Sequence, residues 1–159
     1  MQRATRLALD TQPCDAVVVL GHAADAVFAE VATMAIRRID CADWPRGMGA
    51  SLRAGIAALD AACLGVLVMV CDQPYLDAPH LRTLRDAWRR TPARGAASLY
   101  ASKLGVPALL PRAWFDVLDA QSDRGMRDLL AQRAERIEAV VDEALAFDID
   151  HPDDLRALR

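Results

Sequence analysis

Two stretches of the sequence place carboxylates directly after apolar residues, where they could take part in chemistry. The run at residues 65–71, GVLVMVC, leads straight into Asp72, and residues 145–150, LAFDID, carry Asp148 and Asp150. An ionised carboxylate beside a buried segment is costly unless it is paired or bound to a metal. Two such groups from two strand ends can hold Mg²⁺, which takes one or two protein carboxylates and fills its shell with water and phosphate oxygens.

The residue types alone leave a second interpretation open. Aspartate is common in turns and at helix starts. Asp72 would then cap the turn made by Pro74, and Asp150 would be the N-cap of a last helix at residues 151–158.

The elements that must position these residues follow from hydrophobic patterning. Val-rich runs at residues 16–20 and 65–71 predict buried strands, and residues 34–39, 137–142 and 145–150 are weaker candidates. Periodic apolar positions predict helices at residues 21–32, 49–63, 77–90 and 122–133, with a further helix at the start of the chain. Strands alternating with helices predict an α/β domain with a mostly parallel sheet, and ligands on such sheets bind beyond the carboxyl ends of the strands. We expect one domain over residues 1–159.

Composition excludes several classes of function. The chain of 159 residues has 19 Lys and Arg against 22 Asp and Glu, so its net charge of −3 predicts no general attraction to nucleic acid or to anionic membranes. No apolar run approaches the ~20 residues of a membrane span, and the N-terminus does not resemble a signal peptide. The four cysteines lack zinc-site spacing and are expected to be reduced in a cytoplasmic protein, with Cys63 and Cys71 buried.

Four segments in order resemble the MobA-like NTP transferase family, which includes the molybdenum cofactor cytidylyltransferases. CDQPYL at residues 71–76 resembles the family's GDQP motif, and GMGAS at residues 47–51 resembles its G-x-x-x-S segment. GVP at residues 105–107, followed by DRGMRDLL at 123–130, is similar to the family's G-H-P and GD-x-G-x-R-x-L-L segments. FDIDHPDDL at residues 147–155 resembles the family's DIDTPxDL ending.

The resemblance implies a three-layer α/β/α Rossmann-like fold and a Mg²⁺-dependent transfer of a nucleotide to a phosphate-bearing acceptor, with release of pyrophosphate. The implied donor is CTP, since GTP-using relatives have G-P-L-A-G where this chain has GMGAS, and the implied acceptor is a molybdopterin-type molecule. The implied site residues fall into three groups: nucleotide-binding Gly47, Gly49, Ser51 and Asp72; substrate-binding Gln73, Pro74, Gly105, Pro107 and Arg127; and metal-binding Asp72 and Asp148, with Asp150 as the fallback ligand.

The sequence departs from the family at two places. The family opens on a central strand and a loop, A-A-G-x-S-x-R-M-G-x-x-K, which cradles phosphates, and this sequence contains neither. We therefore expect the first strand of the fold to be missing, unpaired edges on the strands beside it that favour homo-oligomers, and impaired catalysis without the loop's cations. Val106 also replaces the family's His, and valine cannot donate a hydrogen bond.

Two other classes of function stay open. A nucleotide- or cofactor-binding module without catalysis would keep the carboxylates and lack the cationic loop. A flavodoxin-like or response-regulator-like signalling domain also places Asp at a strand end, but it predicts an opening strand with an acidic cluster and no Pro so soon after that Asp. The DQP sequence and the helical start disfavour the signalling class.

Overall fold

The computed structural model describes residues 1–117, 125–151, 153, 154 and 156. The helices are α1 (Gln2–Asp10), α2 (Ala24–Ala29), α3 (Met48–Ala58), α4 (Ala78–Arg90) and α5 (Gly125–Gln132). The strands are β1 (Val17–Leu20), β2 (Arg37–Asp40), β3 (Gly65–Val68), β4 (Gly95–Tyr100), β5 (Lys103–Pro111) and β6 (Ile137–Val141). Short 3₁₀ segments lie at Trp44–Arg46, Arg112–Val117, Ala134–Arg136 and Glu143–Ala146.

The described strands form two separate sheets. β1 and β2 pair in parallel, and the other sheet has the order β3-β5-β4-β6. β5 runs antiparallel to both β3 and β4, whereas β4 and β6 are parallel. Within the described part of the chain, β1 and β3 each pair along one edge only, which confirms the expectation of unpaired strand edges.

The helices cover both faces of the larger sheet, which confirms the α/β/α class. Side chains alternate between faces along a strand, so β3 sends Val66 and Val68 into one core cluster and Leu67 into the other, which Met69 just after the strand also joins. The first cluster contains the buried side chains of α5 and receives Leu52 and Ile56 of α3. The second cluster contains those of α4 and receives Leu7 of α1. The core is therefore two apolar layers, one on each side of the sheet.

Helix α3 also reaches the smaller sheet. A Cβ on Gly55 would lie 2.8 Å from Cγ2 of Val19 in β1, closer than atoms can pack. Glycine therefore permits the close contact between α3 and β1, while other side chains of the same helix pack on the larger sheet. This helix therefore helps to hold the two sheets side by side.

The sequence-based prediction of a mostly parallel sheet missed the β4–β5 hairpin at residues 95–111. The pattern there is weak because β4 is built on small residues, GAAS at 95–98, which the neighbouring layers bury. The hairpin reverses at Ala101 and Ser102, which both have positive φ (48° and 59°) without the usual glycine or asparagine. Neither the strand nor the turn therefore has a strong local signal.

Several predicted elements have different bounds in the structure, including the helix predicted at residues 49–63, which spans Met48–Ala58. The strand expected at residues 65–71 ends at Val68, because Val68 pairs with Ala108 and the next residue of β5 is Pro107, which has no N–H to donate. Residues 145–150 do not form a strand: the Asp142 side chain accepts from the Ala144 N–H and begins a 3₁₀ turn instead. The helix predicted at residues 21–32 is limited to Ala24–Ala29.

Other predictions are confirmed. α4 begins after Asp77, whose carboxylate accepts from the His80 N–H at 2.8 Å and acts as the N-cap. The chain starts in a helix, α1. The Ser/Asp start predicted for α5 and most of the predicted last helix fall outside the described residues. No helix among the described residues is long and apolar enough to cross a membrane.

Candidate active site

Asp72 lies in the loop that follows β3. Its Oδ1 atom is buried and has no hydrogen-bond partner, and its main-chain oxygen accepts from the Ile149 N–H at 2.9 Å. This backbone bond fastens the segment that carries Asp148 and Asp150 beside Asp72. The structure therefore brings together the two regions that the sequence predicts at one crevice. Neither Asp72 nor Asp148 directly follows a strand, however.

The acidic side chains influence one another electrostatically. Burial raises the pKa of Asp148, and the neighbouring charges of Asp72 and then Asp150 raise it further. A cation placed among these carboxylates would offset their repulsion. The Asp154 carboxylate accepts from the N–H groups of Asp150 and His151 at 3.0 and 2.8 Å, which fixes the backbone just after Asp148.

Among the described residues, no group of three or more His, Cys, Asp or Glu side chains is arranged to hold a metal ion by itself. The acidic pair is thus not a complete protein cage. This arrangement agrees with the way Mg²⁺ binds, through one or two carboxylates with water and phosphate oxygens in the remaining positions. Asp72 also supplies a buried oxygen atom that lacks a partner.

Tyr100, at the end of β4, belongs to the same region and was not found from the sequence. Its hydroxyl group donates to the main-chain oxygen of Val106 at 3.1 Å. Burial raises the pKa of Tyr100, the charges of Asp148 and Asp72 raise it further, and Arg127 acts in the opposite direction. The Tyr100 hydroxyl therefore stays neutral and lies within electrostatic reach of both acidic residues and of Arg127. No local motif marks this tyrosine, because only the β4–β5 pairing brings it to the site.

Gly105 makes room for this tyrosine. A Cβ at Gly105 would lie 2.7 Å from Cζ and 3.0 Å from Cε1 of Tyr100, and closer still to the hydroxyl oxygen. The expected substrate-binding glycine therefore acts in the structure by letting the ring pack flat against β5.

Gln73 connects three parts of the site from the inside. Its side chain is 5% exposed, and its amide nitrogen donates to Tyr100 Oη and to the main-chain oxygens of Val106 and Leu145 at 3.3, 3.1 and 3.2 Å. Pro107 is fully buried. Both residues were predicted to bind substrate, and the structure directs them into the protein, where they position the loop after β3 against β5 and the Glu143–Ala146 turn.

An apolar surface adjoins the acidic pair. The rings of Tyr75 and Phe147 are 5.6 Å apart, and they border an open cavity of about 360 Å³ with Glu143, Ala144 and Ala146. Pro74 starts the turn that presents Tyr75, and Tyr75 is 46% exposed. Arg127, on α5, is exposed. The surroundings of the carboxylates therefore offer an exposed aromatic surface and a cation.

The residues predicted to hold the nucleotide lie on another part of the fold. Gly47 precedes α3 with φ of 104°, a conformation that favours glycine, and Gly49 is buried in the first turn of the helix, followed by Ser51. Trp44 and Met48 are exposed apolar side chains beside this helix start. Asp72 follows a strand of the larger sheet, so the predicted nucleotide site is divided between the start of α3 and the loop after β3.

A Ser-His-Asp arrangement elsewhere is structural. His80 Nε2 is 2.8 Å from Ser98 Oγ, and His80 Nδ1 is 3.5 Å from an Asp142 oxygen. Ser98 has no exposed surface and donates its hydroxyl hydrogen to the main-chain oxygen of Pro107 at 2.8 Å. A serine that is enclosed in this way cannot reach a substrate, and the network instead joins α4 to β4 and β5.

Comparison with known proteins agrees with this architecture. The MobA-like NTP transferase domain matches residues 1–137. Nicotine blue oxidoreductase from Paenarthrobacter nicotinovorans is 32% identical over 148 residues, covering 86% of this chain and 71% of that protein.

Solved structures give the same result for the fold. The crystal structure of Rv0371c from Mycobacterium tuberculosis has a TM-score of 0.81 at 23% identity, covering 99% of this chain and 81% of that chain. A manganese complex of Rv0371c has a TM-score of 0.78 at 24% identity, covering 99% and 84%. A nucleotidyl transferase from Methanothermobacter thermautotroptrophicus has a TM-score of 0.78 at 18% identity, covering 99% and 77%.

The fold and the family model together give the class, which is that of the Rossmann-like nucleotidyltransferases. Within this class, the chain belongs to the MobA-like NTP transferase family.

Proposed function

We propose that this protein transfers CMP from CTP to the phosphate of a molybdopterin-type acceptor, with Mg²⁺ bound by Asp72 and Asp148. The single observation that carries the proposal is the backbone bond from Ile149 to Asp72, which holds Asp148 near the buried, unpartnered oxygen of Asp72. In the reaction, an acceptor phosphate oxygen attacks the α-phosphorus of the nucleotide, a P–O bond forms, and the bond to the pyrophosphate leaving group breaks.

When bound, the metal would neutralise negative charge on the phosphates of the nucleotide. Asp72 and Asp148 are its proposed ligands, with Asp150 available beside them. The manganese complex of Rv0371c supports a divalent cation in a protein of this fold. The choice of Mg²⁺ rests on the hard oxygen donors, which suit Mg²⁺ and Mn²⁺ alike.

The chain's own residues would bind and orient the two substrates. The N-terminal end of α3, with Gly47, Gly49 and Ser51, would direct the positive end of the helix dipole at an anionic nucleotide. Arg127 would meet an acceptor phosphate, and Tyr75 and Phe147 would pack on a flat ring system. Tyr100, with its raised pKa, would stay protonated and donate or accept a hydrogen bond beside the carboxylates.

Two finer points belong to the same proposal. CTP is favoured over GTP by the resemblance of residues 47–51 to the cytidylyl-transferring relatives. A single domain in the cytoplasm is proposed from the composition, and the unpaired edges of β1 and β3 favour association of copies.

A second candidate is an oxidoreductase, and it is favoured by the name of the 32% identical relative. The apolar face at Tyr75 and Phe147 would suit a flat aromatic substrate of such an enzyme. The assay mixes the protein with a coloured aromatic substrate and a reductant, without any nucleoside triphosphate. A change in the absorbance of the substrate would indicate oxidoreductase activity and not nucleotidyl transfer.

The test is thermal unfolding with Mg²⁺ or Mn²⁺, with and without CTP or GTP, followed by measurement of CMP transfer and pyrophosphate release. A ligand at 100 times its dissociation constant stabilises by about 2.7 kcal/mol, which raises the melting temperature by roughly 5–11 °C for a protein of this size. Asp72→Asn and Asp148→Asn are expected to lose the metal-dependent shift with CTP. Asp86→Asn, on the exposed side of α4, is the matched control and should keep it.

The outcomes separate the alternatives. A CTP shift without product formation would favour the non-catalytic binding module. A larger shift with GTP would reverse the proposed nucleotide preference. Equal shifts in the wild type and in Asp72→Asn would refute the assignment of Asp72 as a metal ligand.

A further inference from the structure

Two cysteines far apart in the sequence meet at the amino ends of the two sheets. Cys14 Sγ and Cys63 Sγ are 3.1 Å apart, although 49 positions separate the residues. Cys14 is exposed and lies just before β1, and Cys63 is 3% exposed and lies just before β3. The expectation that Cys63 is buried is confirmed, whereas Cys71, also expected to be buried, is exposed.

The contact is held by neighbouring interactions. Arg37 donates to both oxygens of Asp15 at 3.0 and 2.5 Å and to the main-chain oxygen of Ala58 at 2.6 Å. The Asp60 N–H donates to Asp15 at 3.3 Å, and the Cys63 N–H donates to the main-chain oxygen of Asp60 at 3.0 Å. These bonds join the segment before β1 to the segment before β3, so the two thiols meet on a fixed backbone.

We propose that Cys14 and Cys63 form a reversible disulfide when the protein meets a small-molecule disulfide such as oxidised glutathione. A disulfide has an S–S distance of about 2.05 Å, so closure requires the sulfur atoms to move together by roughly 1 Å. Transient disulfides of this kind are the form expected where thiols are otherwise kept reduced.

The reaction balances as two exchanges. The exposed Cys14 thiolate attacks the small disulfide, and one small thiol leaves, which produces a mixed disulfide on Cys14. Cys63 then loses its proton, its thiolate attacks Cys14 Sγ, and the second small thiol leaves. Two electrons and two protons have passed from the cysteine pair to the small disulfide.

The environments of the two thiols assign this order. Burial, together with the hydrogen bond that Cys63 shares with Cys14, raises the pKa of Cys63 to about 11. Cys63 is therefore a poor first nucleophile. The closing step should accelerate about tenfold for each unit by which the pH rises towards that value, because the thiolate is the reactive form.

The consequence is a covalent link between the two sheets. β1 packs against α3, and β3 leads to Asp72, so the link restrains the relative position of the two halves of the proposed site. Closing a loop of about 50 residues is expected to raise the melting temperature by roughly 8–16 °C. This inference does not depend on the proposed nucleotidyl transfer.

The experiment equilibrates the purified chain in buffers of reduced and oxidised glutathione and identifies the products by intact mass and peptide mapping. The wild type is expected to lose the mass of two hydrogen atoms, to show a 14–63 linked peptide, and to melt at a higher temperature. Cys71→Ser, which removes the other exposed cysteine, is the matched control and should behave like the wild type. Cys63→Ser should instead keep glutathione on Cys14, and Cys14→Ser should show neither product at these positions.

Two results would overturn the proposal. One is a wild type that accumulates glutathione on Cys14 without the 14–63 link, even at pH 9. The other is a link that involves Cys41, Cys71 or a second copy of the chain. The glutathione adduct of Cys63→Ser keeps the test informative if Cys14→Ser folds poorly.

Discussion

Replacing Gly105 with alanine is expected to displace the Tyr100 ring and to destabilise the protein. The added methyl group would lie 2.7 Å from Tyr100 Cζ and 3.0 Å from Cε1, so the ring or strand β5 must shift. The shift would break the hydrogen bond from the Tyr100 hydroxyl to Val106 O, and it would weaken the contact with Gln73.

The size of the effect follows from two contributions. Overpacking a well-filled position costs about 1–3 kcal/mol, and the lost hydrogen bond adds about 1 kcal/mol. The free energy of unfolding should therefore fall by roughly 2–4 kcal/mol, and the melting temperature should fall by roughly 5–15 °C.

A double-mutant cycle with Tyr100→Ala tests the reasoning by urea denaturation. If the tyrosine ring is the obstacle, Gly105→Ala should cost less than about 0.5 kcal/mol in the Tyr100→Ala background, because no ring remains to be displaced. Equal costs of Gly105→Ala in both backgrounds would refute the claim that Gly105 is required for Tyr100. Tyr100→Phe, which removes only the hydroxyl, should keep part of the coupling.

Two further predictions concern stability. Burial lowers the pKa of His80 below the value of about 6.5 that it has in the unfolded chain, so the folded state resists protonation. The free energy of unfolding is therefore highest above pH 6.5, and it decreases as the pH falls below that value. His80→Gln should flatten the loss of unfolding free energy between pH 7 and pH 5, measured by urea titration, and parallel slopes would contradict this account. Replacing Ala101 with Asn and Ser102 with Gly should raise the melting temperature by roughly 2–4 °C, because both positions have positive φ in a two-residue hairpin turn. A lower melting temperature in a thermal scan would show that this turn is not strained.

The local elements that carry their own signals were predictable. Asp77 and Pro79 mark the start of α4, and the structure has the helix there with the Asp77 cap. The Val-rich segments are strands, although β3 is shorter than its apolar run. Such signals act within a few residues, through caps, turn preferences and periodic burial.

The acidic site was predictable in part. The expectation that Asp72 and Asp148 lie together came from the general position of ligands on α/β sheets and from the family resemblance. The structure brings them together through a backbone bond between Asp72 and Ile149 in two loops. Gln73 and Pro107 were expected to face the substrate, but pairing of the loop after β3 with β5 and the Glu143–Ala146 turn directs them inwards.

The sequence by itself determined the class of the protein, the main helices and the identity of the acidic residues, because motif order and hydrophobic periodicity are local properties of the chain. Only the tertiary structure decided that Tyr100 joins the acidic site and that Cys14 meets Cys63. Both results depend on contacts between distant residues. Gln73 bonds to Tyr100 and Leu145, which are 27 and 72 positions away, and Cys14 lies 49 positions from Cys63. Contacts of that range are set by how strands pair and layers pack, and no short stretch of sequence encodes them.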